Sequence, residues 1–269
     1  MISELVFHLR TFRKDFLIAL SYRLQFIFSF LSIFVSFIFL YLFSMLVDQG
    51  GNDALKNYGV SYLQFLFVGI LVAEITSTYL NTMPNTIKNY QQTGVFEELM
   101  LSEKSELSII LASLNYPVFK LLMRLILYFL TYYLFFKELD FIIFDLTLVL
   151  AFILFAFSLV GISLFGSAIT IYLKGSSIVP QAYLLISSIL GGVIFPIEFL
   201  PQFLQNFSTI IPTTQFLEIV RNPETYGMVL LNNKLIILFL MGFLLFLLGF
   251  ISVKLALKNA RKNGTLLFH

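Results

Sequence analysis

The side chains best suited to chemistry are scarce in this chain. Its 269 residues include no Cys and two His, His8 and His269, near opposite ends. Without Cys there is no thiolate nucleophile, disulfide or sulfur-ligated metal site, and two distant histidines do not suggest a multi-His metal centre or a His-based triad. The stretch Gly161-Ile-Ser-Leu-Phe-Gly166-Ser167 has the glycine spacing of a phosphate loop. It lacks the Lys that reaches the phosphates and lies in an apolar run, so it reads as helix packing. There is no H-E-x-x-H, G-x-S-x-G or EF-hand pattern, and no catalytic or cofactor-binding constellation emerges. What remains is three charges within otherwise apolar sequence, Glu74, Lys120 and Arg124. Their chemistry is ion pairing, with one another or with a substrate.

The elements that hold these charges follow from composition. With 59% hydrophobic and 12% charged residues and a mean hydropathy of +0.92, the chain is too apolar for a water-soluble globule. Soluble domains run at roughly 45–50% apolar and about 25% charged. A net charge of +2 is too small to suggest a nucleic-acid partner. A helix needs about 20 apolar residues to cross about 30 Å of hydrocarbon. Six spans are therefore predicted, at about 24–47, 60–81, 117–136, 146–173, 177–196 and 235–256. The run 199–217 is uncharged but holds ten polar or helix-breaking residues, Pro201 and Pro212 among them. Unsatisfied backbone in hydrocarbon is costly, so residues 198–220 are expected to form an outer re-entrant helical hairpin between spans five and six. The expected fold class is an all-α integral membrane protein.

Charge placement orients the spans. With the N-terminus inside, eleven basic residues (Arg10, Arg13, Lys14, Arg23, Lys88, Lys104, Lys174, Lys254, Lys258, Arg261 and Lys262) fall on the cytoplasmic side, against Lys56, Lys137, Arg221 and Lys234 outside. This positive-inside bias places both termini in the cytoplasm of a multi-pass cell-membrane protein. A seventh crossing would put the Lys254–Lys262 cluster outside. Residues 1–20 carry Leu5, Leu9, Phe12 and Phe16 on one helical face and His8, Arg10, Thr11, Arg13, Lys14 and Asp15 opposite. They read as an amphipathic interface helix, which anchors on anionic lipid or also docks a cytosolic partner. The transmembrane domain then covers 21–257 and a cytoplasmic tail 258–269.

Glu74 on the second span and Lys120 and Arg124 on the third lie at similar depths. Lys120 and Arg124, four apart, share a helix face, so Glu74 can pair with either. The trio pins two helices together, snorkels to the inner interface, or contacts substrate in an inner vestibule.

Three motifs carry a family resemblance. The connection between spans two and three, 84–106, contains Gly94-Val-Phe96-Glu97-Glu98-Leu99-Met-Leu101-Ser102, and resembles the G-T-L-E-x-L-L-x-S/T-P segment of ABC-2 type transporter permeases. Gly191-Gly192-Val-Ile-Phe195-Pro196-Ile-Glu-Phe-Leu-Pro201-Gln-Phe-Leu-Gln205, with Pro212-Thr-Thr and Glu218-Ile-Val-Arg221, is similar to that family's G-G-x-x-F-P-x-x-x-L-P-x-W-L-Q and P-x-T-x-x-x-E-x-x-R pattern. The tail Ala260-Arg-Lys-Asn-Gly264-Thr265-Leu266 is similar to its A-K-R-x-G-S/T-L ending. Glu103 stands where the family has proline, and Phe203 where it has Trp.

The resemblance implies a permease subunit of an ATP-binding cassette exporter. A separate cytosolic ATPase subunit would bind ATP and Mg, and a second permease, identical or different, would complete the path for an amphiphilic substrate such as a drug, lipid or lipid-linked glycan. It also implies that Gly94, Phe96, Glu97, Glu98, Leu99, Leu101 and Ser102 touch the ATPase. In that role the carboxylates meet basic residues while Phe96, Leu99 and Leu101 form an apolar wedge; an ordinary capped turn is the plainer alternative. Gly191, Gly192, Phe195, Pro196, Pro201 and Pro212 would cap the outer end of the path as a gate or as a structural plug. A non-transporting anchor or regulatory partner of an ATPase is the competing function, and an unrelated membrane enzyme ranks below both.

Overall fold

A computed structural model describes residues 2–48, 61–102, 104–137, 145–173, 178–222 and 233–262, and within them the chain is helical with no strand. Helix α1 (Ile2–Ser21) turns at Tyr22 into α2 (Arg23–Asp48). Next come α3 (Tyr62–Gln92), two short helices α4 (Val95–Met100) and α5 (Glu106–Ala112), α6 (Asn115–Phe136) and α7 (Leu146–Leu173). Then follow α8 (Ile178–Ile189), a 3₁₀ turn (Ile197–Phe199), α9 (Gln202–Ser208), α10 (Pro212–Arg221) and α11 (Asn233–Lys262).

The starts of these helices are written in local sequence. Ser61 and Gln64 form a reciprocal capping box at the head of α3, with Ser61 N–H donating to Gln64 Oε1 at 2.9 Å and Gln64 N–H to Ser61 Oγ at 3.3 Å. Ser105 caps α5 by accepting from the Ser108 N–H at 3.2 Å. That cap supplies the turn into the third span that a proline provides elsewhere; Glu103 itself lies outside the described residues.

The centre of the bundle is α7, which carries no charged side chain and packs on α11, α3, α10 and α8. Its glycines and serines let backbones meet. A Cβ on Gly249 of α11 would stand 2.3 Å from the Gly161 carbonyl oxygen of α7, and one on Gly161 would stand 2.5 Å from the Phe246 nitrogen. Small residues drive helix association in lipid because no hydrophobic force acts between apolar helices there. The Gly161–Ser167 stretch thus serves packing, as its apolar context predicted. On the other flank, Pro84 inside α3 cannot donate to the Leu80 carbonyl four residues earlier. Ser163 of α7 donates to that oxygen instead, at 3.3 Å.

Five segments are long and apolar enough to cross a membrane: Arg23–Met45, Tyr62–Gln92, Glu106–Phe136, Leu146–Leu173 and Asn233–Lys262. They match five of the six expected spans, the third starting earlier than expected because α5 leads into α6. The remaining expected span, 177–196, is a shorter helix. Its described part, α8, has 12 residues and rises about 18 Å, too little for a crossing by itself. The chain leaves helix at Leu190, and Gly192 takes a left-handed φ of 74°, so the apolar run continues as coil. The segment 198–220 does contain two short helices, α9 exposed and α10 almost wholly buried. The expected tail from 258 begins as the last turns of α11; residues 263–269, with Gly264, Thr265 and Leu266, lie outside the described residues.

The α7–α11 seam leaves no room for a side chain at its crossing points. Gly249→Leu is expected to destabilise the protein by about 1–3 kcal/mol through overpacking. Leu248→Met, on the exposed flank of the same helix, should stay within about 0.5 kcal/mol. Unfolding midpoints in detergent micelles check both.

Candidate functional site

Among the intramembrane charges, the geometry selects one pair. Arg124 Nη1 lies 2.8 Å from Glu74 Oε1, with about a fifth of each side chain exposed (19% and 21%). Arg124 Nη2 reaches toward Ser32 Oγ on α2 at 3.5 Å, so the guanidinium ties α6 to both α3 and α2. Lys120, one turn away, makes no ion pair or hydrogen bond among the described residues.

Glu74 also lines a groove of about 640 Å³ between α2, α3, α6 and α8. Ser36, Ser77, Tyr128 and Ser188 line it with Glu74, and Val35, Phe39, Ile70 and Leu184 form apolar walls. These polar residues escaped the sequence reading, although a signal existed: Ser77 follows Glu74 by three, and Ser29, Ser32 and Ser36 recur at helical spacing on α2. The arrangement suits a molecule with an apolar body and a hydrogen-bonding head.

At the end of the bundle that holds α1, α4 and α5, Gly94 starts α4 in a left-handed conformation, φ 74°. Helix α4 then splits its residues by face. Phe96 is fully buried and Met100 nearly so, Glu97 and Leu99 are half-buried, and Val95, Glu98, Leu101 and Ser102 are exposed, Leu101 at 80%. Phe96 is therefore not part of an exposed wedge. It lies one residue from Val95 and two from Glu98, a rotation that turns it into the core and makes it the root of the helix.

Two further helices grip this segment. Lys104 Nζ lies 3.7 Å from Glu4 Oε1 of α1, and Ser108 Oγ donates to Glu4 Oε2. That bond, reinforced by the Lys104 charge, holds the Glu4 carboxyl below its ordinary pKa. His8 Nε2 stands 3.3 Å from Ser108 Oγ, and Asn115 Nδ2 donates to the His8 carbonyl at 3.1 Å. From the other side, Arg261 of α11 pairs with Glu106 at 2.5 Å. His8, Ser108 and Asn115 lie together as a triad would, but Ser108 is committed to Glu4, so the cluster is a clasp. Only the structure reveals it, because its members are about 100 residues apart in sequence.

At the opposite end, Arg221 is not the loop charge its position suggested. It is 7% exposed, and its guanidinium lies 3.5 Å from the Phe65 ring centroid. Nη1 donates to the Gly192 carbonyl at 2.6 Å, and Nη2 to Phe65 O at 2.9 Å and Val193 O at 3.4 Å. Tyr62 Oη donates to the next carbonyl, Ile194, at 3.2 Å. Gly191, Gly192, Pro196 and Pro212 are buried here, whereas Phe195 and Pro201 are exposed together with Phe199, Phe203 and Phe207. Helix α10 is seated by a stacked Phe155–Phe216 pair with centroids 4.5 Å apart and by a Tyr183–Thr213 hydrogen bond of 3.0 Å. A Cβ at Gly192 would be strained at its φ and 3.0 Å from Ile197 Cγ1, so a substitution there probes folding before it probes gating.

Two outcomes follow from these contacts. Glu74→Gln or Arg124→Gln alone should cost about 1–3 kcal/mol, since each leaves a charge without its partner, and the double variant should cost less than the sum. Additive losses in a double-mutant unfolding cycle would show that the pair is not coupled. Arg221→Lys keeps the charge but loses the fork, and should cost about 1–3 kcal/mol. Hydrogen–deuterium exchange should then speed up in α10 more than in α11.

No curated protein matches the chain. The profile of the ABC-2 type transporter family matches residues 10–225. That stretch contains α2 to α10 entire, with the Glu74–Arg124 pair, the α4 segment and the Arg221 cluster. Taken with five membrane-length helices, the match shows that this chain is a multi-pass membrane protein belonging to the ABC-2 type transporter family.

Proposed function

We propose that the chain is the permease subunit of an ATP-driven exporter, coupled to a separate ATPase subunit and paired with a second permease, identical or different. The observation that carries this reading is the face of α4, where Val95, Glu98, Leu101 and Ser102 project while Phe96 and Met100 root the helix in the bundle. An exposed Leu beside a carboxylate, on a helix held from both ends of the chain, suits a cytosolic partner that pushes. ATP and Mg belong to that partner, and this chain supplies the path.

The groove over Glu74 favours an amphiphilic cargo such as a drug, lipid or lipid-linked glycan, because its lining combines apolar side chains with a carboxylate and hydroxyls. Helix α2 buries only 18% of its apolar window within the chain, which leaves a face for lipid or for the second permease. The basic residues of α1, the α4–α5 segment and the end of α11 favour a cytoplasmic position for that end and for both termini, in the cell membrane. The sixth crossing is α8 extended by the coil through Pro196. The Phe155–Phe216 stack and the Tyr183–Thr213 bond place the start of α10 beside the middle of α8 and a third of the way along α7. That depth favours a re-entrant hairpin over a surface cap. The exposed Phe195, Phe199, Phe203 and Phe207 then form the apolar rim of an outer gate.

Co-expression with candidate ABC ATPase subunits from the same organism tests the coupling. Glu98→Arg and Leu101→Asp should each reduce co-purified ATPase or its stimulation by at least about tenfold, the loss of one well-placed contact. Phe96→Ala should instead lower the amount of folded permease. Full stimulation by both surface variants would refute the α4 contact, and normal assembly without movement of any amphiphile into vesicles would favour a non-transporting anchor.

A further inference from the structure

A second cavity, separate from the Glu74 groove, lies in the elbow where α1 meets α2. It measures about 280 Å³ and is bounded by Asp15 and Ile18 of α1, Tyr22 and Gln25 at the bend, and Tyr116 and Lys120 of α6. An aromatic cluster of Phe12, Phe16, Tyr116 and Phe119 clamps α1 against α6 beside it. The bend from an interface helix into a span lies at headgroup level, where tyrosines also concentrate.

The cavity is lined by side chains of both charge signs, Lys120 and Asp15. Lys120 and Tyr116 are four residues apart on one face of α6. Glu74, the acid of similar depth, is held by Arg124, so the Lys120 ammonium is left without an ion-pair partner among the described residues. A cation at that depth calls for an anion. Two phenols and the Gln25 amide add hydrogen-bond donors suited to phosphate oxygens. Asp15 of α1 supplies an acid to the same lining, paired with Lys14 through Oδ1 at 3.3 Å. A purely anionic head would face Asp15, and a choline head has no N–H to give it.

We propose that this elbow is a binding site for the headgroup of an ethanolamine phospholipid in the leaflet on which α1 lies. The phosphate sits against Lys120, Tyr116 and Tyr22, and the ammonium against Asp15. A lipid so held locks the angle between α1 and α2, and through α1 it steadies the clasp on α5. The inference rests on reading α1 as an interface helix and not on the identity of the cargo.

Native mass spectrometry of the full chain, released from micelles doped with dioleoyl phosphatidylethanolamine, phosphatidylglycerol or phosphatidylcholine, tests the site. The wild type should retain the ethanolamine lipid about tenfold more tightly than the other two, the worth of one charge-assisted hydrogen bond. Asp15→Asn should erase the preference over phosphatidylglycerol, and Lys120→Gln should weaken both lipids. Lys258→Gln, an exposed charge on α11 outside the cavity, should change nothing. Soluble phosphoethanolamine should compete poorly if the acyl chains contribute, and equally well if the site reads a free headgroup. Tyr116→Phe keeps the test open should the charge variants fold poorly, with an expected loss of a few-fold. Equal or tighter binding of phosphatidylglycerol to the wild type, or unchanged binding to Asp15→Asn and Lys120→Gln, would overturn the proposal.

Discussion

From Gly192 to Phe195, between α8 and the 3₁₀ turn, the chain makes no helical hydrogen bonds, and its buried carbonyls need other donors. Arg221 and Tyr62 provide them. The guanidinium, lying over the Phe65 ring, serves the carbonyls of Gly192, Val193 and Phe65, and the Tyr62 hydroxyl serves Ile194. Buried non-helical backbone is tolerated in a membrane protein only where such partners exist. This constraint fixes where α8 stops, how deep α10 seats and how the first turn of α3 is held.

From that anchor α3 carries consequences along its length. Its head holds Phe65 under Arg221, its middle holds Glu74 against Arg124, and its far end passes through Gly94 into α4. The Leu80 carbonyl released by Pro84 is bonded to Ser163 of α7, so the helix is tied to the bundle centre at its one internal proline. Helix α10, the groove and the α4 face are thus mounted on a single continuous element.

Much of this architecture is legible in the sequence, and the failures have physical causes. Long uncharged runs mark the spans because lipid imposes a length and a polarity. The 177–196 run satisfied both rules, yet α8 ends early: Gly191 and Gly192 permit a departure from helix that Arg221 then makes affordable, and hydropathy registers neither. Arg221 looked like an outer-loop charge for the same reason, since the carbonyls it serves lie in distant segments. Equal depth narrowed the partner of Glu74 to two cations, and only side-chain geometry chose Arg124. Phe96 was expected on an exposed apolar wedge but is buried, because a six-residue helix gives too little periodicity to separate root from surface. The Glu4–His8–Ser108 clasp was illegible because local patterning says nothing about which distant helices meet.

The clasp has a bearing on biogenesis. Glu4 and His8 are synthesised before Glu106 and Ser108, and Arg261 after both, so one side of the α5 segment can be held before α11 is inserted and the other only afterwards. Until then Met100 and Glu106 lack the guanidinium that later reaches both. A nascent chain in which α11 has not yet been inserted therefore carries this segment without its Arg261 contacts, and closure of those contacts links the readiness of this surface to the insertion of α11.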